Sequence, residues 1–191
     1  VTTGINNTLI GAESGDAITD ADHNTAVGFR SLSTNVLGSR SIAIGAGALF
    51  AQNPASAADM YNVGIGYEAG VALTTGVENT LIGGLAGDSL TTSSGNVAIG
   101  YQALSTETAY SENTAIGYQA LKTNSGGYYN VAVGHEALLS NTTAQSNTGI
   151  GNDALRANTT GASNTAVGAD SLEANTTAAN NTAVGYQSLY T

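Results

Sequence analysis

Residues Asn113–Leu121 read Asn-Thr-Ala-Ile-Gly-Tyr-Gln-Ala-Leu, and variants of this stretch fill the whole chain. Its first five residues recur eleven times, and the copies begin at Asn7, Asn24, Ser41, Asn62, Asn79, Asn96, Asn113, Asn130, Asn147, Asn164 and Asn181. Every step is 17 residues long except the step from Ser41 to Asn62, which is 21. A fixed period of this size indicates a repeat architecture in which each unit packs on its neighbours. Positions 1 to 17 are counted below from the Asn, and units 1 to 11 from the N-terminus.

The first five positions of each unit have the pattern of a short strand that ends at a bend. Position 2 is Thr, Val or Ile, position 4 is always Val or Ile, and position 5 is always Gly. Position 3 is Ala or Gly except at Leu9 and Leu81. This alternation predicts a strand, and the recurring Gly and Asn residues disfavour a helix. The fold class we expect is all-β: a β-solenoid (β-roll or β-helix) of about eleven 17-residue coils, with strands about 4.8 Å apart.

One large aliphatic residue per coil recurs at one of two later positions. Position 9 is Leu in eight copies and Gly in three, namely Gly15, Gly70 and Gly87. Those three copies carry an aliphatic residue at position 12 instead: Ile18, Leu73 and Leu90. Regular copies have a polar residue there: Asn35, Glu107, Asn124, Asn141, Asn158 and Asn175. This exchange keeps the core volume roughly constant, so we expect positions 4 and 9 or 12 to face one interior.

The small residues at positions 3 and 5 would then form a smooth opposite face that packs against another chain. Lateral trimerisation would bury this face. Both a coil made by a single chain and an intertwined triple β-helix satisfy the pattern.

The Asn at position 1 is predicted to be structural. Stacked coils would place these amides above one another, as in the Asn ladders of cross-β stacks. The predicted ladder residues include Asn62, Asn79, Asn96, Asn113, Asn130, Asn147, Asn164 and Asn181.

Composition excludes several classes of partner and chemistry. The net charge is −10 with four Lys and Arg residues, which argues against nucleic-acid binding. No apolar run has the length of a membrane span, so no membrane insertion is expected. The chain contains no Cys, and its two His residues, His23 and His135, occupy different repeat positions. We therefore expect no enzyme activity, no catalytic set and no cofactor.

Two further sets of polar residues are weak candidates for a site. Asp16, Asp20 and Asp22 form the densest acidic cluster, but their spacing is not that of a calcium loop, and a solvated turn is the favoured interpretation. Asn-x-Thr triplets at Asn141, Asn158 and Asn175 match glycosylation acceptors, although an Asn- and Thr-rich repeat also produces them by chance.

Aromatic residues recur at position 6 and predict a discontinuous row along one edge. They are Phe29, Tyr67, Tyr101, Tyr118, His135 and Tyr186. Aromatic faces stack on sugars and on other protein chains. Tyr67, Tyr101, Tyr118 and Tyr186 are thus candidate contacts to a glycan or to another subunit.

The chain is predicted to be a single repeat domain over residues 1–191, with one insertion. Four extra residues near Asn53–Ser56 should form a surface loop within residues 50–60. Residues Val1–Asn6 match positions 12 to 17, and the last copy ends at position 11. One chain could therefore continue the next, which predicts head-to-tail polymerisation; the alternative is a fragment of a longer fibre.

The repeats also resemble two known groups of proteins. Asn96–Leu104, Asn-Val-Ala-Ile-Gly-Tyr-Gln-Ala-Leu, is similar to the Ser/Asn-Val-Ala-Ile-Gly repeat of trimeric autotransporter adhesin heads. Asn181–Leu189, Asn-Thr-Ala-Val-Gly-Tyr-Gln-Ser-Leu, resembles more closely the Asn-Thr-Ala-Val-Gly-Tyr-x-Ala-Leu repeats of phage tail-fibre-like proteins. The resemblance implies a trimeric fibre that is extracellular, on a cell surface or on a virion. The 17-residue period is longer than that of the autotransporter heads, so their geometry need not carry over.

Three functions follow as expectations. The first is a structural subunit of an extracellular fibre or filament, whose partners are other copies of the same chain. The alternative is an adhesin or receptor-binding shaft that recognises cell-surface glycans. The third is an ice-binding solenoid, which the mixture of Thr, Val and Ile at position 2 disfavours.

Overall fold

The computed structural model describes residues 1–106 and 111–190, and this part of the chain is all-β and contains no helix. The strands are β1 (Thr8–Ile10), β2 (Thr25–Val27), β3 (Gly38–Ser39), β4 (Ile42–Ile44), β5 (Ala58–Asp59), β6 (Val63–Ile65), β7 (Thr80–Ile82), β8 (Val97–Ile99), β9 (Thr114–Ile116), β10 (Val131–Val133), β11 (Thr148–Ile150), β12 (Thr165–Val167) and β13 (Thr182–Val184). Eleven of these strands span positions 2 to 4 of their repeat, as the sequence pattern predicts.

The eleven repeat strands form one parallel sheet in the order in which they occur along the chain. Each residue pairs with the residue at the same repeat position in the next unit; Thr114, for example, lies opposite Val131. Because neighbouring strands belong to consecutive units of one chain, the structure is a single-chain β-solenoid and not an intertwined triple helix. Ten steps separate the eleven strands, which gives about ten complete coils. The predicted fold class is confirmed.

Each coil takes the number of its repeat unit, and the four-residue insertion lies in coil 3, which begins at Ser41. Strands β3 and β5 pair there as a separate two-stranded parallel sheet. Residues 55–57 are exposed, whereas Met60 is fully buried. The insertion therefore adds an exposed segment to the coil and a side chain to its interior.

Each coil turns through residues in the left-handed backbone region at positions 5, 7, 9 and 17. The Gly at position 5 has φ between 123° and 142°, a region that side chains disfavour. Leu at position 9 has φ of 48° to 54°, where a β-branched residue would be strongly strained. This backbone requirement explains why position 9 alternates between Leu and Gly.

The core prediction is partly wrong, because the interior takes position 3 and not position 4. Ala98, Ala115 and Ala132 at position 3 are fully buried, as are Leu104 and Leu121 at position 9. The Val and Ile residues at position 4 lie on the outer face of the sheet, where they are half-buried or exposed. The same correction applies to the smooth face predicted for position 3, since those residues point inward.

The interior is narrow, so three positions share one volume. In coil 5, Leu81 at position 3 is accompanied by Gly87 at position 9 and Leu90 at position 12. A Cβ added at Gly87 would lie 2.7 Å from Leu90 Cδ1 and 2.8 Å from Leu81 Cδ2. In coil 4, a Cβ added at Gly64 would lie 2.7 Å from Leu49 Cγ. Leu49 belongs to the preceding coil, so position 3 is small wherever position 9 of its own coil or of the preceding coil is Leu.

Candidate assembly surface

The outer face of the long sheet carries two continuous columns of β-branched side chains, which we call the outer stripe. Position 4 contributes Ile10, Val27, Ile44, Ile65, Ile82, Ile99, Ile116, Val133, Ile150, Val167 and Val184. Position 2 contributes Thr8, Thr25, Ile42, Val63, Thr80, Val97, Thr114, Val131, Thr148, Thr165 and Thr182. Neither column contains a charged residue.

The outer stripe is large for a face open to solvent. Eleven strands about 4.8 Å apart make it roughly 50 Å long, and two alternate residues make it about 10 Å wide. The resulting area, roughly 500 Å², is comparable in size with the largest apolar patch of a typical monomer, although seven Thr hydroxyl groups interrupt it, and patches of this size mark interaction sites. Its exposure ranges up to 58% at Ile10 and 69% at Val184 in the outermost strands.

Inside the coils, the Asn residues at position 1 form a buried ladder. Asn62 Oδ1 accepts the backbone N–H of Asn79 at 2.9 Å, and Asn79 Oδ1 accepts that of Asn96 at 3.0 Å. The same bond links Asn113, Asn130, Asn147, Asn164 and Asn181 in turn. Each Nδ2 also donates to its neighbours, for example Asn130 to Ala144 O at 2.9 Å. These residues therefore connect the coils and offer nothing to an external ligand.

A second ladder, at position 12, overturns the interpretation of Asn141 and Asn158 as glycosylation acceptors. Asn141 Nδ2 donates to Asn124 Oδ1 at 2.7 Å, and Asn158 Nδ2 donates to Asn141 Oδ1 at 3.2 Å. Both residues are fully buried, so a glycan on either amide would disrupt the core. Asn175 donates to Asn158 Oδ1 at 2.8 Å but is half-buried, and for this residue glycosylation stays a prediction. Glu107, at the same repeat position, lies outside the described residues.

The weak cation candidates Asp16, Asp20 and Asp22 are not brought together. Asp16 accepts from Ser33 Oγ, Asp20 from Thr3 Oγ1, and Asp22 from the backbone N–H of Ile5. Each carboxylate therefore forms a hydrogen bond with an adjacent coil. None of the three belongs to a group of potential metal ligands within the described ranges.

One cluster that the sequence did not suggest joins His135, Glu136 and Asp153, whose ligand atoms lie within 4.8 Å of one another. The guanidinium of Arg156 is already directed at it, with Nε 2.7 Å from Glu136 Oε2 and 3.7 Å from Asp153 Oδ1. The hydrogen bond with Glu136 raises the pKa of Arg156. Because a bound cation would meet this fixed positive charge, the cluster is best described as a surface ion-pair network.

The aromatic residues at position 6 form a row along the edge beside the outer stripe. The ring centroids of Tyr101 and Tyr118 are 5.8 Å apart, and those of Tyr118 and His135 are 5.1 Å apart, with both pairs stacked. Tyr67, Tyr101, Tyr118 and Tyr186 are 60%, 47%, 44% and 72% exposed. At position 7, Gln119 Nε2 donates to Gln102 Oε1 at 2.9 Å. The row therefore presents stacked, accessible rings with a polar column next to it.

Within the described residues, no helix is long and apolar enough to cross a membrane. No family model, curated protein or solved structure matches this chain.

Proposed function

We propose that this protein is a structural subunit of an extracellular fibre, in which three copies pack their outer stripes around a common axis. The observation that carries the proposal is the uncharged column of Val and Ile at position 4, which runs the length of the sheet on its outer face. Burying this column, roughly half of the stripe or about 250 Å², contributes about 6 kcal/mol per chain before the costs of association. An isolated solenoid would leave all of this surface in water.

The width of the stripe favours three copies over two. Two sheets that pack face to face interdigitate several columns of side chains across about 10 Å. The outer stripe has only two columns, which three subunits can direct toward one axis. The resemblance to trimeric adhesin heads and phage tail-fibre-like repeats supports the same number, and with it a location outside the cell or on a virion.

The repeat also supports growth along the axis. Each repeat strand pairs with the next at matching repeat positions, so the same register can be repeated between chains. Unpaired strand edges readily pair with further strands. A coil from a second copy would add in the same register, and this contact does not close on itself, so it would extend a filament.

Negative-stain electron microscopy of the native protein tests this function. The expected images contain straight, uniform fibres that are wider than one solenoid and many times longer than roughly 50 Å. Short separate rods at high protein concentration would contradict the proposal.

The alternative, an adhesin that recognises glycans, is favoured by one observation, the exposed aromatic row. An array of immobilised glycans tests it directly, and binding that is lost on replacing Tyr118 with Ala would support it. For the ice-binding function, seven of the eleven position-2 residues on the outer face are Thr, but Ile42, Val63, Val97 and Val131 interrupt the column. Thermal hysteresis measurements test that function.

A further inference from the structure

The aromatic row is interrupted at coil 3, and a cavity opens there. Ala46 occupies position 6 between Phe29 of coil 2 and Tyr67 of coil 4, and Gly47 follows it at position 7. These four residues line a surface cavity of about 290 Å³, which we call the coil-3 slot. Its volume is close to the lower limit of small-molecule pockets, about 300 Å³, so it suits one small ring.

The spacing of the row indicates what fits the slot. Where rings occupy consecutive coils, their centroids are 5.1 and 5.8 Å apart. Phe29 and Tyr67 are two coils apart, since β4 lies between β2 and β6, which corresponds to about 10 Å at two strand spacings. A gap of this size accepts one ring in contact with both aromatic faces, because stacked centroids lie about 4.5–7 Å apart.

A second interruption of the row shows that a missing ring does not by itself create a slot. Gly84 occupies position 6 of coil 5, between Tyr67 and Tyr101. A Cβ at Gly84 would lie 3.5 Å from Tyr101 Cδ2, so the ring of Tyr101 already covers that place. At coil 3, by contrast, Phe50 and Val71 at position 10 line the cavity and leave it open.

Polar groups also line the slot, and among its lining residues Arg30 is the cation and Glu68 the anion. Arg30 lies over Phe29, with its guanidinium carbon 5.1 Å from the ring centroid, and its Nε is 2.6 Å from Glu13 Oε2. Glu68 accepts a hydrogen bond from the Tyr67 hydroxyl, which raises the pKa of Tyr67. The slot thus offers donors on Arg30 and acceptors on Glu68, but its one cation is already paired.

We propose that the coil-3 slot binds a single neutral pyranose residue between Phe29 and Tyr67. The C–H faces of a pyranose stack on aromatic rings, and its equatorial hydroxyl groups can bond to Arg30 and Glu68 at the edge. An acidic sugar is disfavoured, because Glu13 neutralises Arg30 and the chain carries a net charge of −10. This site goes beyond the structural function and does not depend on fibre assembly.

Saturation-transfer NMR on the native protein tests the slot, with methyl β-D-glucopyranoside, methyl β-D-galactopyranoside and N-acetylneuraminic acid as probes. We expect transfer to the ring C–H protons of at least one neutral pyranoside. Ala46→Tyr restores the missing ring and should weaken binding by about tenfold or more, as should the loss of one stacking face in Tyr67→Ala. The matched control, Ala169→Tyr, adds a ring at the same repeat position in coil 10 and should leave binding unchanged.

Three results would overturn the proposal. One is the absence of transfer to either neutral pyranoside. Another is transfer that persists undiminished in Ala46→Tyr, which would locate the sugar elsewhere on the row. The third is binding of the acidic sugar alone. Because Ala46→Tyr copies the stacked arrangement of coils 6 to 8, it should fold normally, and circular dichroism verifies this.

Discussion

At the scale of single residues, the Gly at position 5 is the most tightly constrained part of the repeat. Its φ lies in a region that only Gly occupies readily, and its Cα faces the backbone of the next coil. A Cβ added at Gly83, for example, would lie 2.5 Å from Gly100 O. The conservation of Gly along all eleven copies of this one chain therefore has two independent physical causes, backbone conformation and contact between coils.

This constraint predicts different outcomes for two adjacent glycines. Gly83→Ala should destabilise the solenoid by about 2 kcal/mol or more, since it combines backbone strain with a steric clash. Gly84→Ala should change stability little, because its Cβ would make an ordinary contact with Tyr101 at 3.5 Å. Urea unfolding followed by circular dichroism measures both, and equal destabilisation would contradict the account.

The partly buried carboxyl group of Asp88 should make the stability of the protein depend on pH. Burial raises its pKa, and its Oδ1 is buried without a hydrogen-bond partner. The folded state therefore binds the proton of Asp88 more tightly than the unfolded state does. The charged carboxylate lowers the stability of the folded state at pH values above its folded-state pKa, and this loss is absent at pH values below its unfolded-state pKa. Asp88→Asn should raise the melting temperature at pH 7 but not at pH 3, and a uniform shift at both would show that charge is not the cause.

Some residue roles could be predicted from the sequence and others could not. The Asn at position 1 was predicted to stack because it precedes ten of the eleven repeat strands. The Asn at position 12 was interpreted as a polar residue that matches glycosylation acceptors, although its occurrence in coils that have Leu at position 9 was a signal that it faces the interior. Alternation along the strand placed the side chain at position 3 on one face of the sheet and those at positions 2 and 4 on the other. It did not indicate which of the two faces lines the interior of the solenoid. The larger Val and Ile were assigned to the core, but the real core has no room for a second large side chain beside the Leu at position 9.

At the scale of the coil, stability depends on a fixed volume that positions 3, 9 and 12 share. Coil 7 fills this volume with Ala115, Leu121 and Asn124, and coil 5 fills it with Leu81, Gly87 and Leu90. The total remains similar although the side chains differ. This exchange was visible in the sequence for positions 9 and 12, and the structure adds position 3.

Replacing Ala115 with Leu should overpack coil 7 and destabilise the protein by about 1–3 kcal/mol. The new side chain would meet Leu121 at position 9 of its own coil and Leu104 at position 9 of the preceding coil, where Leu81 meets Gly87 and Gly70. Adding Leu121→Gly relieves one of these two contacts, so we expect it to destabilise the Ala115→Leu variant less than it destabilises the wild type. Urea midpoints of the wild type, both single variants and the double variant provide the comparison. Strictly additive destabilisation would show that the positions do not share one volume.

The ladder at position 1 predicts a cost that spreads to a neighbouring coil. Asn130→Ala removes the acceptor of the Asn147 backbone N–H and the donor to Ala144 O, both of which are buried. Each buried group left without a partner costs about 1–3 kcal/mol. Hydrogen exchange should show faster exchange at Asn147 as well as around residue 130, whereas an effect confined to coil 8 would contradict the ladder.

At the scale of the whole molecule, the solenoid has two kinds of surface. Polar Asn, Thr and Ser residues are gathered largely into turns and internal ladders, while the outer face of the sheet is uncharged and β-branched along its entire length. The sequence was sufficient to predict the solenoid, because a fixed period repeated over eleven copies indicates stacked coils without any knowledge of individual contacts. The proposed assembly face could not be located from the sequence, since only the direction of each side chain distinguishes it from the core.

The proposed trimer depends on contacts between the Val and Ile side chains at position 4 of three chains. Ile116→Asp places a charge on the outer stripe, and Leu139→Asp is its matched control, an apolar residue at position 10 that is half-buried away from the stripe. Mass per unit length, measured by scanning transmission electron microscopy, counts the chains in a cross-section. We predict three 17-residue coils per about 4.8 Å for the wild type and Leu139→Asp, and fewer for Ile116→Asp. A mass per unit length of one coil per about 4.8 Å in the wild type, or an unchanged mass per unit length in Ile116→Asp, would contradict the account.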